Sequence, residues 1–145
     1  MSLKKLTILF LCTGNSCRSQ MAEAWVRLLK NDLLIPSSAG VKPSGVDPMA
    51  VKVMEEVGSD MSASNSKHVE TLMGNHFDIV VTVCDNANET CPYFPGKTLR
   101  IHKGFPDPPA LAKGLDTQAA LAVYRRVRDE IRTFVEQMPG NLQQR

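Results

Sequence analysis

The sequence predicts an α/β domain over residues 1–145, built on a four-stranded, mainly parallel sheet. Three observations carry that expectation. Apolar, strand-like runs alternate with segments whose apolar residues recur at helical spacing, the order that a parallel sheet with crossover helices requires. Leu6 to Leu11 passes through a short polar loop straight into a helical pattern, a strand-to-helix handover. Phe77 to Val83 is almost continuously apolar and rich in β-branched residues, as a strand covered on both faces is.

Taken in order, Leu6 to Leu11 is the first strand. The helix from Gln20 to Lys30 turns Ala22, Trp25, Val26 and Leu29 toward it. Leu33 to Ser38 is a second short strand, ended by Ala39-Gly40. Asp47-Pro48 reads as an N-cap with proline in the first turn, opening a helix through Val51, Met54 and Val57 that Gly58 stops. Ser66 is the expected cap of a short helix through Val69, Leu72 and Met73. Phe77 to Val83 then forms a central strand and Thr98 to Ile101 an edge strand, after which Pro106, Pro108 and Pro109 imply an irregular surface loop. The last helix spans Thr117 to Gln137, with Leu121, Tyr124, Val127, Ile131, Phe134 and Val135 inward, and Pro139-Gly140 ends it. Its Arg125, Arg126, Arg128 and Arg132, interleaved with Asp129, Glu130 and Glu136, read as a solvated face.

A chain of 145 residues fits one domain with a sizeable core. A net charge of +2 with 22% charged residues gives no reason to expect a nucleic-acid or membrane partner. The apolar run near the N-terminus is only about seven residues long and has no small-residue cleavage signature, so it is not read as a signal peptide. No stretch approaches the ~18–20 apolar residues that cross a bilayer. A cytoplasmic setting is expected, in which four cysteines are reactive rather than structural. With no obvious exposed apolar stripe, the chain is expected to be a monomer.

The densest chemistry lies in Cys12-Thr13-Gly14-Asn15-Ser16-Cys17-Arg18-Ser19. Gly14 and Asn15 tolerate left-handed backbone angles, so the amides from Thr13 to Cys17 can turn inward and bind an anion at the start of a helix. The same amides, the helix terminus and Arg18 favour the thiolate of Cys12. Arg18 adds a planar fork of donors matched to two oxygens of a tetrahedral oxyanion. Ser19 opens the helix, and its hydroxyl is either the N-cap or a donor to the sulfur. The expected chemistry is thiolate attack on a bound oxyanion.

Right-handed crossovers bring this loop and the end of the Phe77 strand to one edge of the sheet, where ligands bind in such folds. Cys84 follows that strand, and Cys91 comes after Asp85-Asn86-Ala87-Asn88-Glu89-Thr90. Asn86 and Glu89 resemble a capping box. A helical segment there would hold the two α-carbons roughly 10 Å apart, and a disulfide needs them within about 7 Å. A Cys84–Cys91 bond would therefore require the segment to loop out. Zinc is disfavoured by the spacing and by the absence of a second pair; inert thiols remain an alternative. His68, His76 and His102 receive no role, and no metal is expected.

The segment Cys12 to Glu23, the Val81-Thr82-Val83-Cys84 strand end with Cys91-Pro92, and Gly104-Phe105-Pro106-Asp107-Pro108 resemble the thioredoxin-coupled arsenate reductases. That family is built on the low-molecular-weight protein tyrosine phosphatase fold, and the resemblance runs over nearly the whole chain. It implies three layers, with helices on both faces of the sheet. It also implies attack of Cys12 on arsenate held by the loop amides and Arg18, with Asp107 as the acid and Asp85 its nearest rival. Cys84 would then attack Cys12, releasing arsenite, and Cys91 would move the disulfide to Cys84–Cys91 for reduction by thioredoxin. Cys17 would fill space behind the loop.

Phosphate or sulfate would compete with arsenate. No bound cofactor is implied. The family offers a potassium site, which Asn15, Glu23 and Ser38 match; Lys67 stands near the place of its missing carboxylate, so its ammonium would serve Glu23 in place of the ion. Two other functions compete. A tyrosine phosphatase would use the same loop, but the aromatic pair expected after Asp-Pro is replaced here by Pro109-Ala110. A thiol sensor without turnover would leave Arg18 and the anion cradle unexplained.

Overall fold

The computed structural model describes residues 4–84 and 96–142. Strand β1 (Leu6–Cys12) lies between β2 (Leu34–Gly40) and β3 (Ile79–Thr82), and β4 (Leu99–His102) completes a sheet in the order β2-β1-β3-β4. All three pairings are parallel. The register sets Cys12 opposite Gly40 and Leu11 opposite Thr82. The loop after β1 and the residues after β3 therefore leave the sheet at one edge, as the crossover argument requires. Every residue from Ile8 to Cys12 and from Ile79 to Thr82 is buried. Successive strand side chains point to opposite faces, so both faces are covered, as three layers demand.

Helix α1 (Arg18–Leu29) packs on β1 and β2, and α4 (Thr117–Glu136) packs on α1, on α2 (Pro48–Glu55) and on the short α3 (Pro108–Ala112). Trp25 joins the first and last helices, its Nε1 donating to the Arg128 carbonyl at 3.0 Å. The α2 boundary follows its residue types: Asp47 accepts from the Met49 amide at 2.9 Å, with proline in the first turn. Asp116 caps α4 in the same way, accepting from the Ala119 amide at 2.8 Å.

Three expectations are corrected. Residues 108–112 are helical rather than irregular, because prolines in the first turn lack only amides that a helix start leaves unbonded and have φ already set. His68, not Ser66, caps the turn Val69–Leu72, its Nδ1 accepting from the Glu70 amide at 3.0 Å; Ser66 is spent on the anion loop. Arg128 is buried rather than solvated. Its guanidinium donates to the Val53 carbonyl (2.9 Å), Glu56 (3.0 Å) and Asp129 (2.9 Å), matched donors that make its burial tolerable. No helix among the described residues is long and apolar enough to cross a membrane. Asp85, the capping box Asn86–Glu89, and Cys91 lie outside the described residues.

Candidate active site

The loop after β1 is shaped by what holds its carbonyls. The Cys12 carbonyl accepts from the Val41 amide (3.3 Å), Thr13 from Lys42 (2.8 Å), Gly14 from Ser44 (2.9 Å) and Ser16 from Asp47 (3.0 Å). Gly14 also receives the Ser66 hydroxyl at 2.9 Å, and the Asn15 carbonyl receives Gln20 Nε2 at 3.1 Å. In a trans peptide the N–H points opposite to the C=O. Fixing five consecutive carbonyls on the outer side turns the amides of residues 13–17 toward the concave side, which makes a nest for an anion.

Of the Gly14-Asn15 pair, only Asn15 takes the left-handed conformation, with φ 47°. Its buried amide donates to Ser19 Oγ at 2.9 Å and accepts from Gln20 Nε2 and the Lys67 amide, both at 3.0 Å. At Gly14 a Cβ would meet only the Ser44 hydroxyl closely, at 2.5 Å, a contact that rotation of the serine side chain relieves. Gly40 is the position without room, since its Cβ would come to 2.6 Å from the Thr13 carbonyl oxygen and 2.8 Å from the Asn15 nitrogen, backbone atoms that cannot turn aside. Sequence reasoning missed the belt of residues 41–47, Gln20 and Ser66. The belt acts through backbone amides, which residue types do not reveal; the glycine ending β2 was the one usable signal.

At the centre is Cys12, 4% exposed. Its thiol is drawn down to about 5, chiefly by a hydrogen bond from Cys84, with the Arg18 charge and the Gly14 and Ser19 amides adding to it against the cost of burial. Cys84 Sγ also lies 3.2 Å from Thr13 Oγ1. Burial, followed by the Asp47 charge, pushes the Cys17 thiol far up, which leaves it a protonated space-filler. Ser19 is not the cap: it lies inside α1, its oxygen accepts from Asn15, and Cys17 occupies the cap position with no side-chain bond. Arg18 Nη1 donates to the Phe105 carbonyl at 3.1 Å, and Nη2 lies 3.6 Å from Asp107 Oδ1. The cation and the expected acid thus face one another across the site.

The Cys12 assignment has a direct consequence for pH. A depressed pKa leaves the Cys12 sulfur ionised at neutral pH and protonates it only on acidification. Alkylation of Cys12 by iodoacetamide is expected to be flat from pH 7 to 8, halved near pH 5, and to fall about tenfold per further unit. A midpoint near 8.5, followed by mass spectrometry of the Cys12 peptide, would refute the hydrogen-bond and charge arrangement around it.

The charge near Glu23 is not arranged as expected. Arg27 Nη2 pairs with Glu23 Oε2 at 2.9 Å, whereas Lys67 Nζ donates to the Asn65 carbonyl, at 3.4 Å, and to no carboxylate among the described residues. Glu23 Oε1 and Ser38 Oγ are buried and have no hydrogen-bond partner among the described residues, a feature that would suit a cation. Yet Asn15 Oδ1 already accepts two hydrogen bonds, and Arg27 and Lys67 line the same cavity as Glu23. The residues present do not fit a potassium ion well.

Comparison with known proteins places this geometry in a family. The model for low molecular weight phosphotyrosine protein phosphatases matches residues 7–145. The chain is 46% identical over 138 residues to an arsenate reductase of Halalkalibacterium halodurans, covering 92% of this chain and 98% of that protein. It is 47% identical over 124 residues to one of Bacillus subtilis, covering 86% and 88%. Among solved structures, an arsenate reductase in a phosphate-binding state superposes with a TM-score of 0.75 at 28% identity, covering 97% of this chain and all 100% of that one. A low molecular weight tyrosine phosphatase of T. tengcongensis gives 0.70 at 26%, covering 92% and 97%. An anion nest around a depressed thiol, on a parallel sheet shared with both kinds of protein, leaves one assignment: the chain belongs to the low molecular weight phosphotyrosine protein phosphatase family, and its 46–47% identical relatives there are arsenate reductases.

Proposed function

We propose that the chain reduces arsenate to arsenite through a relay of Cys12, Cys84 and Cys91, with thioredoxin as the reductant. The observation that carries this reading is a second thiol at the anion loop: Cys84 is buried there, its sulfur 3.2 Å from Thr13 Oγ1 and hydrogen-bonded to the Cys12 sulfur, an arrangement a phosphatase does not need. The nest of residues 13–17 and Arg18 hold the oxyanion while the Cys12 thiolate attacks arsenic. Asp107 protonates the departing hydroxide. Cys84 then attacks the Cys12 sulfur, and the electron pair of the S–As bond leaves with arsenic, taking As(V) to As(III) as the two sulfurs join. Cys91, assigned from sequence position, displaces Cys12 and yields the Cys84–Cys91 disulfide that reduced thioredoxin opens.

A monomer in the cytoplasm, working without a bound potassium ion, completes the reading. Phosphate is an inhibitor, and hydrolysis of small aryl phosphates is a weak side activity of the same loop. The test couples arsenate, thioredoxin, thioredoxin reductase and NADPH, with p-nitrophenyl phosphate hydrolysis measured in parallel. Arsenite is expected over many turnovers, at least about a hundredfold faster than ester hydrolysis, a difference of roughly 3 kcal/mol in barrier. Fast hydrolysis with no arsenite would assign the chain to the phosphatases instead.

A further inference from the structure

We propose that Tyr124, acting through Asp47, is a positioning residue for the anion loop. The inference rests on reading that loop as an oxyanion site and does not depend on the redox steps. Asp47 is the last member of the belt that holds the loop, and its amide fixes the Ser16 carbonyl at 3.0 Å. The peptide plane so held carries the Cys17 N–H. The Asp47 carboxylate is divided: Oδ1 caps α2 through the Met49 amide at 2.9 Å, and Oδ2 accepts the Tyr124 hydroxyl at 2.5 Å.

Tyr124 is 3% exposed and sits in the middle of α4, 77 positions along the chain from Asp47. Burial and the adjacent carboxylate push its phenol far above the ordinary range, so it remains a donor at every working pH. The bond does two things for the loop. It holds Oδ2 away from the loop side, and it draws negative charge density away from a site that must accept an anion, the effect that removal of the charge reverses. Asp47 belongs to the loop's own belt, its amide 3.0 Å from the Ser16 carbonyl, so its charge acts on the loop at short range. An aspartate this close to an oxyanion site is electrostatically unfavourable unless a donor answers it.

Phosphate affinity reports the effect without any redox turnover. It is read as protection of Cys12 against iodoacetamide, quantified on the Cys12 peptide. Tyr124→Phe is expected to raise the phosphate Kd about tenfold, the scale of one hydrogen bond to a charged group, and to leave the unprotected alkylation rate at pH 8 unchanged. Adding Asp47→Asn, which keeps the backbone amide and the capping oxygen but removes the charge, is expected to restore most of the lost affinity. Loosened packing alone would not be repaired by that second substitution. An unchanged Kd in Tyr124→Phe, or a loss that Asp47→Asn does not relieve, overturns the proposal. Failure of phosphate to protect the natural sequence overturns the oxyanion reading and this proposal with it.

Discussion

Cys84→Ser is expected to release no arsenite at all, and Cys91→Ser to release one arsenite per chain and then stop. The difference follows from where the electrons come from. Thiol attack by Cys12 on arsenate exchanges a ligand on As(V) and reduces nothing; only a second sulfur attacking the first can drive the S–As pair onto arsenic. A serine at position 84 cannot do so, and the adduct can only revert. With Cys84 present and Cys91 replaced, one reduction is possible and the chain is trapped as Cys12–Cys84. The natural protein without thioredoxin should also release one equivalent, but its disulfide should map to Cys84–Cys91. Quench-flow counting of arsenite, with disulfide mapping of the product, checks all three cases. Multiple turnover by Cys84→Ser would end the relay, and a first equivalent missing from Cys91→Ser would place Cys91 in the chemical step itself.

The acid limb of the Cys12 titration and this relay share one cause, the Cys84 sulfur beside Cys12. A hydrogen bond from Cys84 stabilises the Cys12 thiolate, and in the proposed relay the same placement brings the second sulfur to the first. Cys84→Ala, which removes the donor outright, is therefore also expected to move the alkylation midpoint of Cys12 upward.

The parts of this arrangement visible in the sequence are those written in side chains with one physical use. Consecutive apolar residues in β1 and β3, the Asp47-Pro48 cap and the inward stripe of α4 each specify a local structure. Their consistency puts Cys12 and Cys84 at one edge of the sheet. What stayed hidden was written in backbone groups or in tertiary partners. The amides of Val41, Lys42, Ser44 and Asp47 hold the loop, and any residue but proline supplies an amide. Ser19 and Ser66 have the chemistry of caps, but the buried Asn15 side chain and the Gly14 carbonyl claim their hydroxyls. Arg128 looked solvated because its neighbours in sequence are charged, whereas its partner carbonyl, Val53, is 75 positions away.

Arg18→Lys is expected to lower arsenate kcat/KM by about 10²–10³-fold, the range found when one preorganised donor of an oxyanion site is removed, although the substitution keeps the positive charge. Arg18 has more tasks than a point charge can perform. Nη1 holds the Phe105 carbonyl and so the loop that carries Asp107, Nη2 faces Asp107, and Nε is a buried donor with no partner among the described residues. A bound oxyanion would take Nε and Nη2 together, the two parallel donors a planar guanidinium offers, while Nη1 keeps the acid loop in place. An ammonium can bond the carbonyl or the oxyanion but cannot span both. Because charge is retained, the Cys12 alkylation midpoint should stay within about half a unit of its natural value. That separates geometry from electrostatics: a large kinetic loss with an unmoved midpoint assigns Arg18 to orientation. A parallel rise in the midpoint would mean that its charge had been felt mainly by the thiolate, and full activity in the lysine variant would remove the bidentate contact from the mechanism.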